Sequence, residues 1–322
     1  MIIENPYWGK NFFEVIALFA QRMCSLFFGQ LPLSNLASDE IQILVLCFVA
    51  IASALVGTFL VLKKMTMLAN SLSHTILLGI VIAYILLLPL MPKEKISSHC
   101  ISVEILLLAS LISGVITTLL THFLSSVFRL QEDASTGLVF TTLFALGIVL
   151  ITALTRNAHI GLEAIMGNVD ALHLDDLFFI FWIACVDLSL IFLLYKEWKV
   201  TTFDAPFAQS LGFSRHLFNY FLMVLTAVTV IGAFRAVGVL LVLAFLVAPV
   251  LTARLFCTRL MRLLLCACGL GIVCALFSVA LSRHFLSAYQ ISFSTSGLTV
   301  ACLGAMYFLG LSLRLTLRRR RC

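Results

Sequence analysis

Asn70, Ser73 and His74 lie in a stretch reading KKMTMLANSLSHTILLG, from Lys63 to Gly79, where two lysines close one apolar run and three polar side chains open the next. Asn70 and His74 are four residues apart, so a helix puts them on one face with Ser73 beside them. Nitrogen and oxygen donors in such a row suit passage of a small polar or cationic solute, and neutral imidazole is a common ligand for zinc, iron and similar metals. Ionisable residues inside membrane helices are costly, roughly 2.5–3.5 kcal/mol for the charged types, and usually mark a pathway or a site. The same residue types also join membrane helices by hydrogen bonds. This segment alone supports both readings.

Asp187 sits midway along another apolar run, too deep to reach the headgroups, so it is expected to face protein or a cavity and is a second pathway candidate. Glu104 and His122 lie near the ends of a third run, within reach of the headgroups. His159, Glu163, Asp170 and His173 surround Met166-Gly167-Asn168. Their types can bind metal, but the spacing matches no closed zinc site and reads as a solvated, glycine-broken loop. Pro249, in AFLVAPVLTAR, removes a backbone hydrogen bond and is expected to kink its helix, a gating candidate.

Between about 196 and 216, Asp204 is placed to cap a short helix through Pro206, Phe207, Ala208 and Leu211, ended by Gly212. Phe207 and Leu211, four apart, give that helix a small apolar face, which docks on a cytoplasmic partner or lies on the membrane. No G-x-S-x-G, H-E-x-x-H or G-x-x-x-x-G-K-[ST] occurs, so the chain is expected not to be an enzyme. Any ATP hydrolysis that drives it belongs to another polypeptide.

The elements that carry these residues must lie in lipid. Hydrophobic residues make up 62% of the 322 and charged residues 11%, against about 45–50% and about 25% in soluble domains. Apolar runs fall near 41–62, 68–90, 103–124, 137–155, 177–195, 217–233, 236–256, 263–281 and 295–315, giving an all-α bundle of about nine spans. The break at Gly232–Arg235 is the weakest of these boundaries. With the Lys63–Lys64 turn in the cytoplasm, fourteen of the 21 basic residues fall inside and five outside, which also places the C-terminus inside. The net charge of +6 therefore reflects topology, and no nucleic-acid partner is expected.

The ten cysteines are scattered, mostly in apolar runs, without a C-x-x-C pair, and read as small buried hydrophobes. Glu14 and Arg22 interrupt the first apolar stretch, which does not read as a signal peptide. Phe12, Ile16, Phe19, Met23, Leu26 and Phe27 recur there at helical spacing, as an interfacial helix or an extra span. The expected organisation is an N-terminal segment over 1–40, a transmembrane domain over 41–315 and a basic tail over 316–322.

Several pieces together resemble one family, the permease subunits of bacterial ABC importers for manganese, zinc and iron. A G-x-F-x-V-L-R/K-R/K-M pattern stands here as Gly57 to Met65, and G-D-A-L-S-H-x-x-L-P-G as Ala69 to Gly79. Thr136 to Gly147, Gly167-Asn168, Phe203 to Gly212 and Val237 to Arg254 are similar to later elements of the same family, in order along the chain. The resemblance implies a multi-pass permease of the bacterial inner membrane, paired with a second permease subunit. Cytoplasmic ATP-binding subunits would dock around Asp204 to Gly212, an extracytoplasmic binding protein would deliver the metal, and no cofactor would be held permanently. His74 carries over as a residue that handles the ion. The family's aspartate is Asn70 here and its proline is Leu78. An amide keeps an acceptor oxygen but loses the charge that attracts a divalent cation. Either a partner subunit supplies the carboxylate or the ion preference is shifted. The competing readings are an ion-coupled secondary transporter using Asp187 and His74, and a siderophore or cobalamin permease.

Overall fold

The computed structural model describes residues 6–7, 9–28, 32, 36–87, 103–155 and 169–319, and these are helical apart from short turns. The helices are α1 (Phe12–Phe27), α2 (Ser38–Lys63), α3 (Thr66–Leu87), α4 (Val103–Val127), α5 (Glu132–Thr155), α6 (Leu174–Leu193), α7 (Tyr195–Phe203), α8 (Ala205–Ser210), α9 (Arg215–Val237), α10 (Val239–Phe256), α11 (Leu260–Tyr289) and α12 (Thr295–Arg319), with a 3-10 turn at Val169–Ala171. Among the described residues, seven helices are long and apolar enough to cross a membrane: α2, α5, α6, α9, α10, α11 and α12. α3 and α4 add 22 and 25 residues, and about 20 suffice to span the hydrocarbon core.

The ends of these helices follow from backbone chemistry. Asp39 and Glu40 occupy the first turn of α2 and Lys63 its last, matching the helix dipole. The chain then reverses sharply. Lys64 takes φ 61°, its N–H donates to the Val61 carbonyl at 3.3 Å, and the Met65 N–H donates to the Leu60 carbonyl at 2.9 Å. That pair of bonds is the Schellman arrangement, closed here on a lysine rather than a glycine. α9 runs through Gly232 to Val237 and breaks at Gly238, whose φ of 85° suits a residue without Cβ. The break therefore falls later than the Gly232–Arg235 signal implies.

Two compact units form. The first contains residues Met1–Thr58, Asn168–Ser189 and Ala236–Cys322, and the second Phe59–Gly167 and Leu190–Arg235. In the first unit α10, α11 and α12 pack against one another and α1 packs on α11. α2 joins them by close approach. A Cβ on Gly57 would stand 2.1 Å from the Leu246 carbonyl oxygen, and one on Gly271 would stand 3.1 Å from the Ala50 side chain. Val15 of α1 is buried with Tyr7 and Ala280, while Ile16, on the face read from spacing, is exposed. Phe12 and Phe19 of the same face pack against that cluster.

Polar groups tie the start of α2 to its neighbours in this unit. Glu40 is fully buried and pairs with Arg22. It also accepts from the Tyr7 hydroxyl at 2.8 Å and the Ala37 N–H at 2.9 Å. Asp39, also buried, pairs with Arg283 of α11. Asp170 accepts from Gln42 at 2.9 Å and from Thr295 at 2.6 Å. In the second unit α3, α4 and α5 pack together. Gly114 of α4 faces Ala227 and Ile231 of α9.

Two measurements follow. Gly57→Ala forces α2 off the α10 backbone, and overpacking of this kind costs about 1–3 kcal/mol. The purified protein in detergent is expected to melt at a lower temperature, with Ser53→Ala as a control on the same helix. Burial, and then the hydrogen bond to Glu40, push the Tyr7 hydroxyl well above the usual tyrosine value. The folded value exceeds the unfolded one, so the stability Tyr7 adds is intact below about pH 10 and drains as pH rises past it. Between about pH 10 and 11 the wild-type melting temperature is expected to fall more steeply than that of Tyr7→Phe.

Candidate functional site

The second unit contains the α3 candidates Asn70, Ser73 and His74 and the loop-helix candidates Asp204 to Gly212. On α3, Ala69 and Leu72 are fully buried while Asn70 and His74 are half-buried, the split that i,i+4 spacing produces. The side chain of Ser73 lies outside the described residues. His74 meets two rings of α5: its centroid lies 5.0 Å from that of Phe140 and 5.3 Å from that of Phe144. The two phenyl rings are themselves stacked, 5.9 Å apart. The imidazole is thus packed against two aromatic rings of α5, one tilted and one edge-on.

α3 is fixed against α4 just beyond His74. Ser113 Oγ donates to the Thr75 carbonyl at 2.7 Å. A Cβ on Gly79 would lie 2.7 Å from the Ala109 carbonyl oxygen, so only glycine allows this approach. Leu78, where the family pattern has proline, is buried and leaves α3 unbroken. Toward the other end of the unit, His122 stacks edge-on against Tyr220 at 4.8 Å. It lines a cleft with Lys64, Thr121, Ser125, Asp133 and Thr136. His122 thus packs within its own unit.

The loop helix is built as its residues require. Asp204 caps α8, accepting from the Phe207 N–H at 3.1 Å. Gly212 closes it at φ 86° with a second Schellman pair, Gly212 N–H to the Gln209 carbonyl and Phe213 N–H to the Ala208 carbonyl. Ala208 is buried, whereas Phe207 and Leu211 are each 52% exposed, so the helix presents an apolar face. α7, which precedes it, is anchored by Trp198. That side chain is fully buried between Phe59, Phe218 and Phe221 at 5.3, 5.4 and 5.8 Å. Lys63 Nζ stands 5.4 Å above the indole and donates to Asn219 at 2.8 Å.

The remaining candidates belong to the first unit. Asp187 is fully buried within α6. Pro249 is buried inside α10, which continues through it. Of the four loop residues with metal-binding types, His159 and Glu163 lie outside the described residues. Asp170 serves the hydrogen bonds to Gln42 and Thr295, and His173 is exposed at the start of α6. Among the described residues no cluster of three or more His, Cys, Asp or Glu side chains is poised to hold a metal ion.

A model of the ABC 3 transport family matches residues 40–314. The chain belongs to that family. A probable metal transport system membrane protein of Chlamydia muridarum is 39% identical over 98% of this chain and 96% of its own. The manganese transport system membrane protein MntC of Halalkalibacterium halodurans is 31% identical, covering 86% of this chain and 87% of its own. The fold of this permease is shared with a chain of PsaBC from Streptococcus pneumoniae, solved in complex with Fab, at a TM-score of 0.69. That alignment is 21% identical and covers 92% of this chain and 95% of the other.

Spacing along the permease brings Asn70 and His74 to one face and builds α8, but it carries no trace of Phe140, Phe144 or the Trp198 cage. Those contacts join residues far apart in sequence; the aromatic run around Phe218 and Phe221 is the one hint. Trp198→Ala empties the cage, at a cost of about 3–5 kcal/mol for a buried tryptophan. The variant is expected to melt earlier and to exchange amide hydrogens faster across α7 and α8, with Trp198→Phe closer to wild type.

Proposed function

We propose that this permease moves a divalent metal ion, of the manganese, zinc or iron group, into the cell by alternating access powered by a separate ATPase chain. His74 and Asn70 handle the ion along its path, with Ser73 and Asp187 as further pathway residues. The face of Phe207 and Leu211 on α8, set by Asp204, Ala208 and Gly212, docks on the ATPase. Pro249 is a point of give in α10. A second permease subunit completes the path, and an extracytoplasmic binding protein delivers the metal. The permease sits in the inner membrane with its C-terminus in the cytoplasm.

The match of residues 40–314 to the ABC 3 transport family carries this reading. The name of the Halalkalibacterium halodurans relative, a manganese transport system membrane protein, supports the cargo class. Position supports the role of His74: it is half-buried on α3 beside aromatic rings that hold its orientation. Imidazole and amide oxygen give the ion neutral ligands, so the affinity of this face rests on geometry and on charge supplied by a partner. Gly57 and Gly79 let α2 pack tightly on α10 and α3 on α4, which suits a mechanism in which helices move in packed groups.

Uptake of radioactive manganese, zinc and iron by cells expressing the complete transporter tests the proposal. His74→Ala is expected to lose at least about tenfold in rate, the scale on which ligand-positioning groups act in metal sites, at unchanged membrane abundance. Asn70→Asp is expected to raise affinity and shift the preference among the three metals. Wild-type uptake in His74→Ala would overturn the assignment of that residue.

A further inference from the structure

Cys257 and Cys266 are nine residues apart, on the connection between α10 and α11, and the fold brings their sulfurs to 3.3 Å with the Cys257 thiol donating. Cys257 follows the last residue of α10, where its N–H closes the helix on the Ala253 carbonyl at 2.8 Å. Cys266 lies in the second turn of α11, on the exposed face, while Leu263, Leu264 and Ala267 turn inward. α11 has 30 residues, about 45 Å of helix against a core of about 30 Å, so Cys266, in its second turn just after Arg259 and Arg262, belongs to the stretch near the membrane interface. Cys266 points away from the protein interior and Cys257 is half-buried, whereas Cys274 is buried.

Chemistry assigns the two sulfurs different parts. Burial, then the hydrogen bond to Cys266, push the Cys257 thiol up, while the charge of Arg262 draws it down. In the contact Cys257 is the donor and Cys266 the accepting sulfur. A disulfide needs an S–S separation of about 2.0 Å, so closure takes a movement of about 1.3 Å. Small rotations of two side chains supply that.

We propose that Cys257 and Cys266 form a peroxide-responsive thiol pair, oxidised reversibly to a disulfide that staples α10 to α11. The thiolate of Cys266 attacks one oxygen of hydrogen peroxide and breaks the O–O bond, leaving a sulfenic acid and, after proton uptake, one water. The sulfur of Cys257 then attacks the sulfur of Cys266, and the departing hydroxyl leaves as a second water with the Cys257 proton. One peroxide gains two electrons and the two thiols lose them. Under the orientation proposed above the pair faces the cytoplasm, where thiols rest reduced and a disulfide acts as a transient response. The bond forms across the turn between two helices that pack on each other, so oxidation stiffens that corner of the first unit.

The purified full-length protein, freed of reductant and treated with a small molar excess of hydrogen peroxide, tests this by thiol titration and peptide mass spectrometry. The expected result is a bridged peptide joining Cys257 to Cys266, two thiols lost per chain, and recovery with dithiothreitol. Cys257→Ser is expected to trap Cys266 as a sulfenic acid that dimedone labels, and Cys266→Ser to leave Cys257 unlabelled. Absence of the bridged peptide while exposed Cys24 is oxidised would overturn the proposal. So would dimedone labelling of Cys266 in the wild type as strong as in Cys257→Ser. The readout is made on purified protein, so it stands or falls separately from the transport role and the orientation.

Discussion

Lipid offers no hydrogen-bond partner, and that one constraint decides how the sequence is used throughout this permease. Backbone groups are satisfied within each helix, and hydroxyls fold back onto carbonyls of their own turn. Thr58, Thr117, Thr118, Thr226 and Thr229 each donate to the residue four positions earlier. With polar side chains neutralised locally, helices are joined by close packing rather than by exclusion of water. Gly57 against Leu246 and Gly79 against Ala109 are the tightest of these contacts, and both occur at glycines of the family-like motifs. At both positions the backbone approach leaves no room for a Cβ.

Charged groups are kept where they can be paired. Asp39 with Arg283 and Glu40 with Arg22 gather at the start of α2, leaving the middle of that helix to apolar and hydroxyl side chains. A buried pair is stable only when both partners stay, since removing one strands a charge. This end of the first unit is therefore held by specific geometry. The second unit uses aromatic packing instead: Trp198 fixes the loop helices, and Phe140 with Phe144 flanks His74. Rings position a neighbour by packing against it.

Local chemistry was readable and distant pairing was not. Apolar run length located the helices, the cap and glycine around Asp204 and Gly212 located α8, and i,i+4 spacing put Asn70 and His74 on one face. The break after α9 was misplaced because Gly232 and Gly238 look alike in sequence. Only packing decides which glycine takes the left-handed conformation. Asp170, read as a loop residue, is a hub because Gln42 and Thr295 come to it from 128 and 125 positions away. The pairing of Cys257 with Cys266 depends on a three-residue turn whose direction no spacing rule gives.

The turn at Lys64 carries a consequence for how such chains can diverge. It holds α2 and α3 together with two residues and a side-chain-bearing left-handed position, which costs roughly 1–2 kcal/mol relative to glycine. There is no slack in it. One inserted residue would rotate α3 by about 100° and carry Asn70 and His74 to another face of the unit. Substitutions along α3 leave its register intact, whereas a change in the length of that turn would re-aim every side chain of the helix in a single step.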